Sequence, residues 1–212
     1  MIVTAEQPLK KPDWLRGRIG SGSNCNRMTS LVREKGLHTV CDEALCPNKG
    51  ECWEQGRATI MILGGVCSRK CRFCNVQEGA PSGCDMEEPA RVAEAVKEMG
   101  LDEVVITSVT RDDLPDQGAF IWAETIRRIK EAVPGILVEV LIPDFGGDKD
   151  HLQTVLDAGP DVLGHNLETV RRLYGSPRPQ ANSWQSLELL RRASKQGFMT
   201  KTGVMLGLGE TV

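Results

Sequence analysis

Six of the chain's eight cysteines fall between Cys41 and Cys74, in two triplets of different spacing. Cys41, Cys46 and Cys52 are separated by four and then five residues, and Cys67, Cys71 and Cys74 by three and then two. Any fold open to this chain must gather thiols around two centres that are close in sequence. Disulfides are a poor account of them, because stapled secreted domains are short and loop-rich. This chain has 212 residues and a regular alternation of apolar runs. Its start, MIVTAEQPLKKPDW, has neither the apolar stretch of a signal peptide nor the basic, Ser-rich character of a transit peptide, so a cytoplasmic protein is expected. No apolar run reaches the roughly 20 residues that span a bilayer, so no membrane partner is expected. A formal net charge of −3, with one Tyr, four Phe and four Trp, also disfavours nucleic acid, which calls for a basic face and stacking aromatics.

Residues 1–26, rich in Pro and Gly, read as an extended arm, and residues 27–35 as a helix stopped by Gly36. The turn-forming Pro47, Asn48 and Gly50 place the first triplet in a loop. From residue 58 strands and helices alternate. Strands are expected over 59–63, 103–109, 136–142, 161–167 and 200–206. Helices are expected over 89–99, 117–133, 149–158, 168–174 and 183–196, most closed by Gly or Pro. That order means βαβ units and a parallel sheet. Periodicity alone does not separate a doubly wound sheet from a barrel. Polar residues just after successive strands (Cys67–Cys74, Asp112 and Asp113, Asp144, Asn166 and Glu168, Glu210) favour a barrel, whose site lies at the carboxyl ends of its strands. The chain stops at Val212, directly after GLGET, where a covering helix is expected, which reads as a fragment.

Three thiolates satisfy three irons of a four-iron cluster and leave the fourth open to a small molecule. A structural zinc site wants four protein ligands, and two groups of three do not divide into fours. Iron–sulfur chemistry is therefore expected at Cys67, Cys71 and Cys74, with Phe73 able to pack on a ligand at the open iron.

With these motifs the chain resembles the radical S-adenosylmethionine superfamily. Within it the preceding Cys-x4-Cys-x5-Cys is similar to that of the lipoyl synthase family. The likeness runs through REKGLHTVCDEALCPNKGECW, ATIMILGGVCSRKCRFCNV, VVITSVTRDDL, LIPDF, HNLETV and KTGVMLGLGET. It implies two 4Fe-4S clusters, a catalytic one on Cys67, Cys71 and Cys74 and an auxiliary one on Cys41, Cys46 and Cys52. S-adenosyl-L-methionine chelates the open iron of the first, and its reductive cleavage yields a radical that abstracts hydrogen; the second gives up sulfide. The implied reaction inserts two sulfur atoms at carbons six and eight of a protein-bound octanoyl chain. The implied fold is a partial (βα)6-type TIM-like α/β barrel over residues 58–212, here truncated after the fifth strand. Residues 1–57 are then an N-terminal, cysteine-rich extension made of the arm and the auxiliary-cluster loop. Implied cofactor contacts are Phe73, Thr107, Ser108, Asn166 and Glu168, with Asp112 beside them and Gly203, Gly207 and Glu210 in the fifth-strand motif. Implied partners are an octanoylated lipoyl-carrier domain or H-protein, a low-potential ferredoxin- or flavodoxin-type donor, and cluster-repair proteins.

The chain departs from the family at several points. It lacks the C-terminal Arg-Ser-Ser segment that supplies the auxiliary cluster's serine, and so little complete product is expected from these 212 residues. Gly146 stands where Arg is expected, Pro177 where an aliphatic residue is, and Ser183 where an aromatic is. Arg69, Lys70 and Arg72 read either as a solvated loop or as a surface for an acidic partner. His38 and His165 read as structural residues, and Cys25 and Cys84 as ordinary thiols. The rival readings are another two-cluster radical enzyme and a non-catalytic iron–sulfur or zinc-binding module.

Overall fold

The computed structural model describes residues 22–211, so most of the expected N-terminal arm lies outside the described residues. From Ser23 the chain is already helical, four residues before the expected start. Helix α1 (Ser23–Glu34) buries Cys25, Met28, Leu31 and Val32 on one stripe. The first triplet does not lie in a plain loop. Strand β1 (His38–Thr39) runs into helix α2 (Val40–Glu43), which carries Cys41, and helix α3 (Lys49–Glu54) carries Cys52. The turn residues Pro47 and Asn48 only separate two short helices. Thr39 starts the first by accepting the Asp42 N–H at 3.1 Å, an N-cap that turn composition alone does not reveal.

Strand β2 (Thr59–Ile62) is followed by the short strands β3 (Val66–Cys67) and β4 (Gln77–Glu78), which pair with each other. The remaining elements alternate: α4 (Glu88–Met99), β5 (Glu103–Ser108), α5 (Ala119–Ala132), β6 (Leu137–Leu141), α6 (Lys149–Leu156), β7 (Val162–Gly164), α7 (Ser183–Lys195) and β8 (Met199–Lys201). Their ends follow local chemistry. Pro89 opens α4 and left-handed Gly100 (φ +67°) closes it. Asp148 caps α6 through the N–H groups of Asp150 and His151, and Asn182 caps α7 through that of Trp184.

Among the described residues the main sheet has the order β1-β2-β5-β6-β7-β8. β1 is antiparallel to β2, and every later neighbour is parallel. From β2 onward, order in the sheet follows order in the chain. A doubly wound sheet reverses its order at a switch point, whereas this steady progression is that of a partial barrel. Successive helices α4, α5, α6 and α7 pack side by side as the outer layer. Ile60, Ile62, Val104, Ile106, Val138, Val140 and Leu163 are fully buried beneath them. The alternate positions Val105, Glu139 and Leu141 point to the other face and are half-buried. Register brings Ile62 beside Ser108, Thr107 beside Leu141, and Leu141 beside Gly164, so the carboxyl ends form one edge.

Two expected elements differ. Residues 168–174 are not an α-helix; only Arg171–Leu173 forms a 3-10 turn. Glu168 has a left-handed backbone (φ +63°) and bridges to Val204, which takes the chain out of helical geometry. The last two strands are shorter than expected for the same reason. Beyond Gly164 and Lys201 the sheet reduces to that single bridge.

Candidate active site

The second cysteine triplet begins where β2 ends. Leu63 and Gly64 both have positive φ (69° and 90°), which turns the chain sharply out of the sheet. The buried Glu88 carboxylate holds this turn, accepting the Leu63 N–H at 2.7 Å. Burial pushes the Glu88 carboxyl above its ordinary range, opposed by the N–H donors of Leu63 and Gly64. At Gly65 a Cβ would come 2.9 Å from the His38 ring, so a side chain there would require that ring to shift.

Cys67 then lies on β3, whose pairing with β4 closes the base of the loop. Cys71 and Cys74 are joined by a turn, with the Cys74 N–H donating to the Cys71 carbonyl at 3.0 Å. The loop is stitched to its surroundings along its length. Ser68 N–H donates to Thr110 O at 3.0 Å, Lys70 N–H to Gln180 Oε1 at 2.7 Å, and Arg72 N–H to Pro177 O at 2.9 Å. The Cys67 sulfur accepts N–H bonds from Thr110 (3.3 Å) and Arg69 (3.5 Å), as cluster-ligating thiolates commonly do. Burial pushes the Cys71 thiol up, and the nearby Arg178 guanidinium opposes that shift.

The first triplet follows β1 in the chain and comes against this loop. Asn75, one residue past Cys74, donates to the Glu43 carbonyl at 2.8 Å, linking the two cysteine segments directly. The Cys46 N–H donates to Cys41 O at 3.1 Å. Burial raises the Cys52 thiol, and the approach of Cys41 and Cys46 raises it further, so the three sulfurs share one neighbourhood. All six are free thiols. Among the described residues no three His, Cys, Asp or Glu side chains converge tightly enough for a single metal ion. Three nearby but separated thiolates are the donor set of a polynuclear iron–sulfur cluster, whose ligands attach to different irons. The residues present fit that group.

At the carboxyl ends of β5, β6 and β7 lies a cavity of about 110 Å³, lined among others by Thr107, Ser108, Ile142, Asn166, Glu168 and Arg178. Four of the expected contact residues therefore share one pocket. Ser108 Oγ and Arg178 Nε are buried with no hydrogen-bond partner among the described residues. Thr107 Oγ1 instead donates to Leu141 O at 2.9 Å. Burial raises the Glu168 carboxyl, while Asn166 and Arg178 hold it down. Gly203 abuts this group, since a Cβ there would meet Asn166 Oδ1 at 2.8 Å. Gly207 and Glu210 do not line the cavity. The Glu210 carboxylate accepts the N–H groups of Gly207 and Leu208 within its own turn. Phe73 stands on the cysteine loop, about a third exposed.

Other polar residues after the strands have structural partners. Asp113 pairs with the buried Arg111 at 2.8 Å, and Arg111 also donates to the carbonyls of Gly83 and Leu63. His165 is bracketed by Ile142 O and Ser186 Oγ, and burial lowers its pKa. His38 contacts Glu43 at 3.0 Å. Lys70 and Arg72 are solvent-facing, but Arg69 is buried against Asp112 and Asp144 and is not part of an open basic surface. Arg178 was not among the expected site residues. Its only local signal is an Arg-Pro in a turn-rich segment, which carries no indication of what it faces.

A family model described as the radical SAM superfamily matches residues 61–212, and one described as the N-terminal domain of lipoyl synthase matches residues 2–46. A lipoyl synthase of Rubrobacter xylanophilus is 55% identical over 202 residues, covering 94% of this chain and 63% of that protein. One of Parabacteroides distasonis is 51% identical over 205 residues, covering 97% of this chain and 73% of that protein. This chain thus spans roughly two thirds of the length of the curated relatives it matches. Among solved structures, the hydrogenase maturase HydG superposes with a TM-score of 0.56 at 19% identity, over 91% of this chain and 42% of that one. Methylornithine synthase superposes at 0.53 and 19%, over 90% and 53%. These two likenesses concern the fold alone.

Proposed function

The chain belongs to the radical S-adenosylmethionine superfamily and, within it, to the lipoyl synthases; on that premise we propose that it inserts two sulfur atoms at carbons six and eight of a protein-bound octanoyl group. The observation that carries this reading is the pairing of two free cysteine triplets, of different spacing, linked through Asn75 and Glu43. When bound, a 4Fe-4S cluster with S-adenosyl-L-methionine supplies hydrogen abstraction from an unactivated carbon, and a second cluster supplies sulfide.

In this proposal Cys67, Cys71 and Cys74 hold the catalytic cluster, and Cys41, Cys46 and Cys52 the auxiliary one. The N–H groups of Arg69 and Thr110 stabilise negative charge on the Cys67 sulfur. The cavity lined by Thr107, Ser108, Asn166 and Glu168, with Gly203 against Asn166, would hold the polar end of S-adenosyl-L-methionine, and Phe73 would pack on it from the cysteine loop. Gly207 and Glu210, in a turn closed by the Glu210 carboxylate, are kept as cofactor contacts of the fifth-strand motif in this proposal. Arg178 adds a cation within reach of both Cys71 and Asn166. The division into an auxiliary-cluster segment (1–57) and a barrel (58–212) is part of the same proposal. So are the partners: an octanoylated lipoyl-carrier domain or H-protein, a low-potential ferredoxin- or flavodoxin-type donor, and cluster-repair proteins. Among the described residues no helix is long and apolar enough to cross a membrane.

Anaerobic reconstitution with iron and sulfide counting is the first test. Two clusters, about eight irons per chain, are expected, with C67A and C41A each losing about half. One zinc and no sulfide would reject the reading. Single-turnover mass spectrometry with an octanoyl-lysyl peptide, reductant and S-adenosyl-L-methionine then tests the chemistry. Sulfur-containing peptide supports it, whereas cleavage of S-adenosyl-L-methionine with no sulfur transferred by a version of the relatives' full length points to a different radical enzyme.

A further inference from the structure

The cysteine loop contains a buried cation to which the proposed chemistry gives no task. Arg69 lies between Cys67 and Cys71 and is only 9% exposed. Its Nε and Nη2 meet the two carboxylate oxygens of Asp112, each at 2.8 Å. Nη2 also lies 2.8 Å from Asp144 Oδ1. Asp112 follows β5, and Asp144, 1% exposed, follows β6. One guanidinium thus ties the loop to the ends of two adjacent strands. The planar fork of Arg meets one carboxylate with two parallel bonds and still reaches a second; the ammonium of Lys cannot.

The energetics favour a fixed arrangement. Burial opposes ionisation of Asp144 more than any one partner favours it, yet the Arg69 hydrogen bond and charge together with the Gly146 N–H hold that carboxyl below its ordinary range. Arg69 in turn is held protonated by both carboxylates despite its own burial. Removing Arg69 would leave the buried Asp144 carboxylate without its cation, which is far costlier than breaking an exposed pair. Of the other cross-loop contacts, the Ser68 hydroxyl also donates to the Asp112 carboxylate at 3.1 Å, whereas Ser68 N–H to Thr110, Lys70 N–H to Gln180 and Arg72 N–H to Pro177 are bonds between neutral groups that water can replace. Three thiols must be presented at fixed separation for a cluster to bind without reordering the loop.

We propose that Arg69 is a positioning residue, a buried strut between Asp112 and Asp144 that holds the Cys67–Cys74 loop in the shape that receives and retains its cluster. This rests on the reading above only in assigning an iron–sulfur cluster to that triplet. Arg69 touches no reacting atom; it acts through the loop.

The test uses the 212-residue chain with Cys41, Cys46 and Cys52 changed to Ser, so that one cluster is read. R69K keeps the charge and loses the fork; R69Q loses both. K70A is the control, since the Lys70 side chain is exposed and pairs with Glu78. Thermal unfolding by circular dichroism reports folding. Iron release to a chelator and the electron paramagnetic resonance spectrum of the reduced cluster report the loop. R69K is expected to fold like the parent, to lose iron ~10-fold faster or more, and to show an altered spectrum, with K70A unchanged. Release rates and spectra equal to the parent's in R69K would overturn the proposal. If both Arg69 variants fail to fold, D112N, altered at the more exposed end of the strut, is read by the same criteria. A parent that assembles no cluster rejects the functional reading as well, whereas equal retention in a parent that does assemble one rejects the strut alone.

Discussion

At the residue scale, two acidic groups at the mouth illustrate how burial and partners set opposite outcomes. Asp144 keeps its charge because a guanidinium meets it, whereas Glu88 is met only by N–H groups of the Leu63–Gly64 turn and is pushed up by burial. A carboxyl whose folded-state value is raised contributes fully to stability below its unfolded value. That contribution is lost as pH rises through the folded value. E88Q keeps an oxygen for the Leu63 N–H and cannot titrate. Its stability relative to the parent should therefore increase as pH rises above the ordinary glutamate range, read from urea unfolding at several pH values. Parallel profiles for the two proteins would mean that Glu88 is not buried in solution as it is here.

At the element scale, the helices that form the outer layer depend on their first turns. Asp148 closes the β6 loop and caps α6 with two backbone donors, at 2.7 and 3.2 Å. D148A removes both acceptor contacts and should cost about 1 kcal/mol in urea unfolding, with no change in iron content on reconstitution. An effect on iron content would show that α6 communicates with the cysteine loop, through the neighbouring Asp144. The short helices α2 and α3 present the opposite situation. They are too brief to be stable alone, and hold together through Thr39, the Lys49 ammonium stacked 4.1 Å from the Trp53 ring, and the fully buried Trp53 itself.

At the scale of the whole molecule, the sheet and its outer helices make one continuous core that includes α1 and the buried residues of the first cysteine segment. The steady strand order places every β-to-α connection from β5 onward at the same edge as the cysteine loop. Ile106, in the middle of β5 and fully buried, sits near the centre of this core. I106A should destabilise the protein by about 2–5 kcal/mol in urea unfolding, since a cavity there has neighbours on all sides. A loss much below that range would indicate that the sheet collapses around the gap and is looser than the geometry here.

The sequence by itself determined most of what is local. The cysteine spacings marked both centres, and Gly100 and the Pro-Gly pair at 134–135 marked helix ends. The alternation of apolar runs implied a parallel sheet, with strands β5 and β6 and helices α4 to α7 close to where periodicity placed them. These features are legible because they depend on neighbours within a few residues. Only the tertiary structure decided the rest. Glu168 was read as the start of a helix, yet its backbone bridges Val204, thirty-six positions away. Arg69 looked like surface charge, but meets two carboxylates contributed by other strand ends. Arg178 gave no signal until folding brought it beside Cys71 and Asn166. The physical reason is common to all three. A side chain's burial and its partner are properties of the space between distant segments, and spacing along the chain does not encode them.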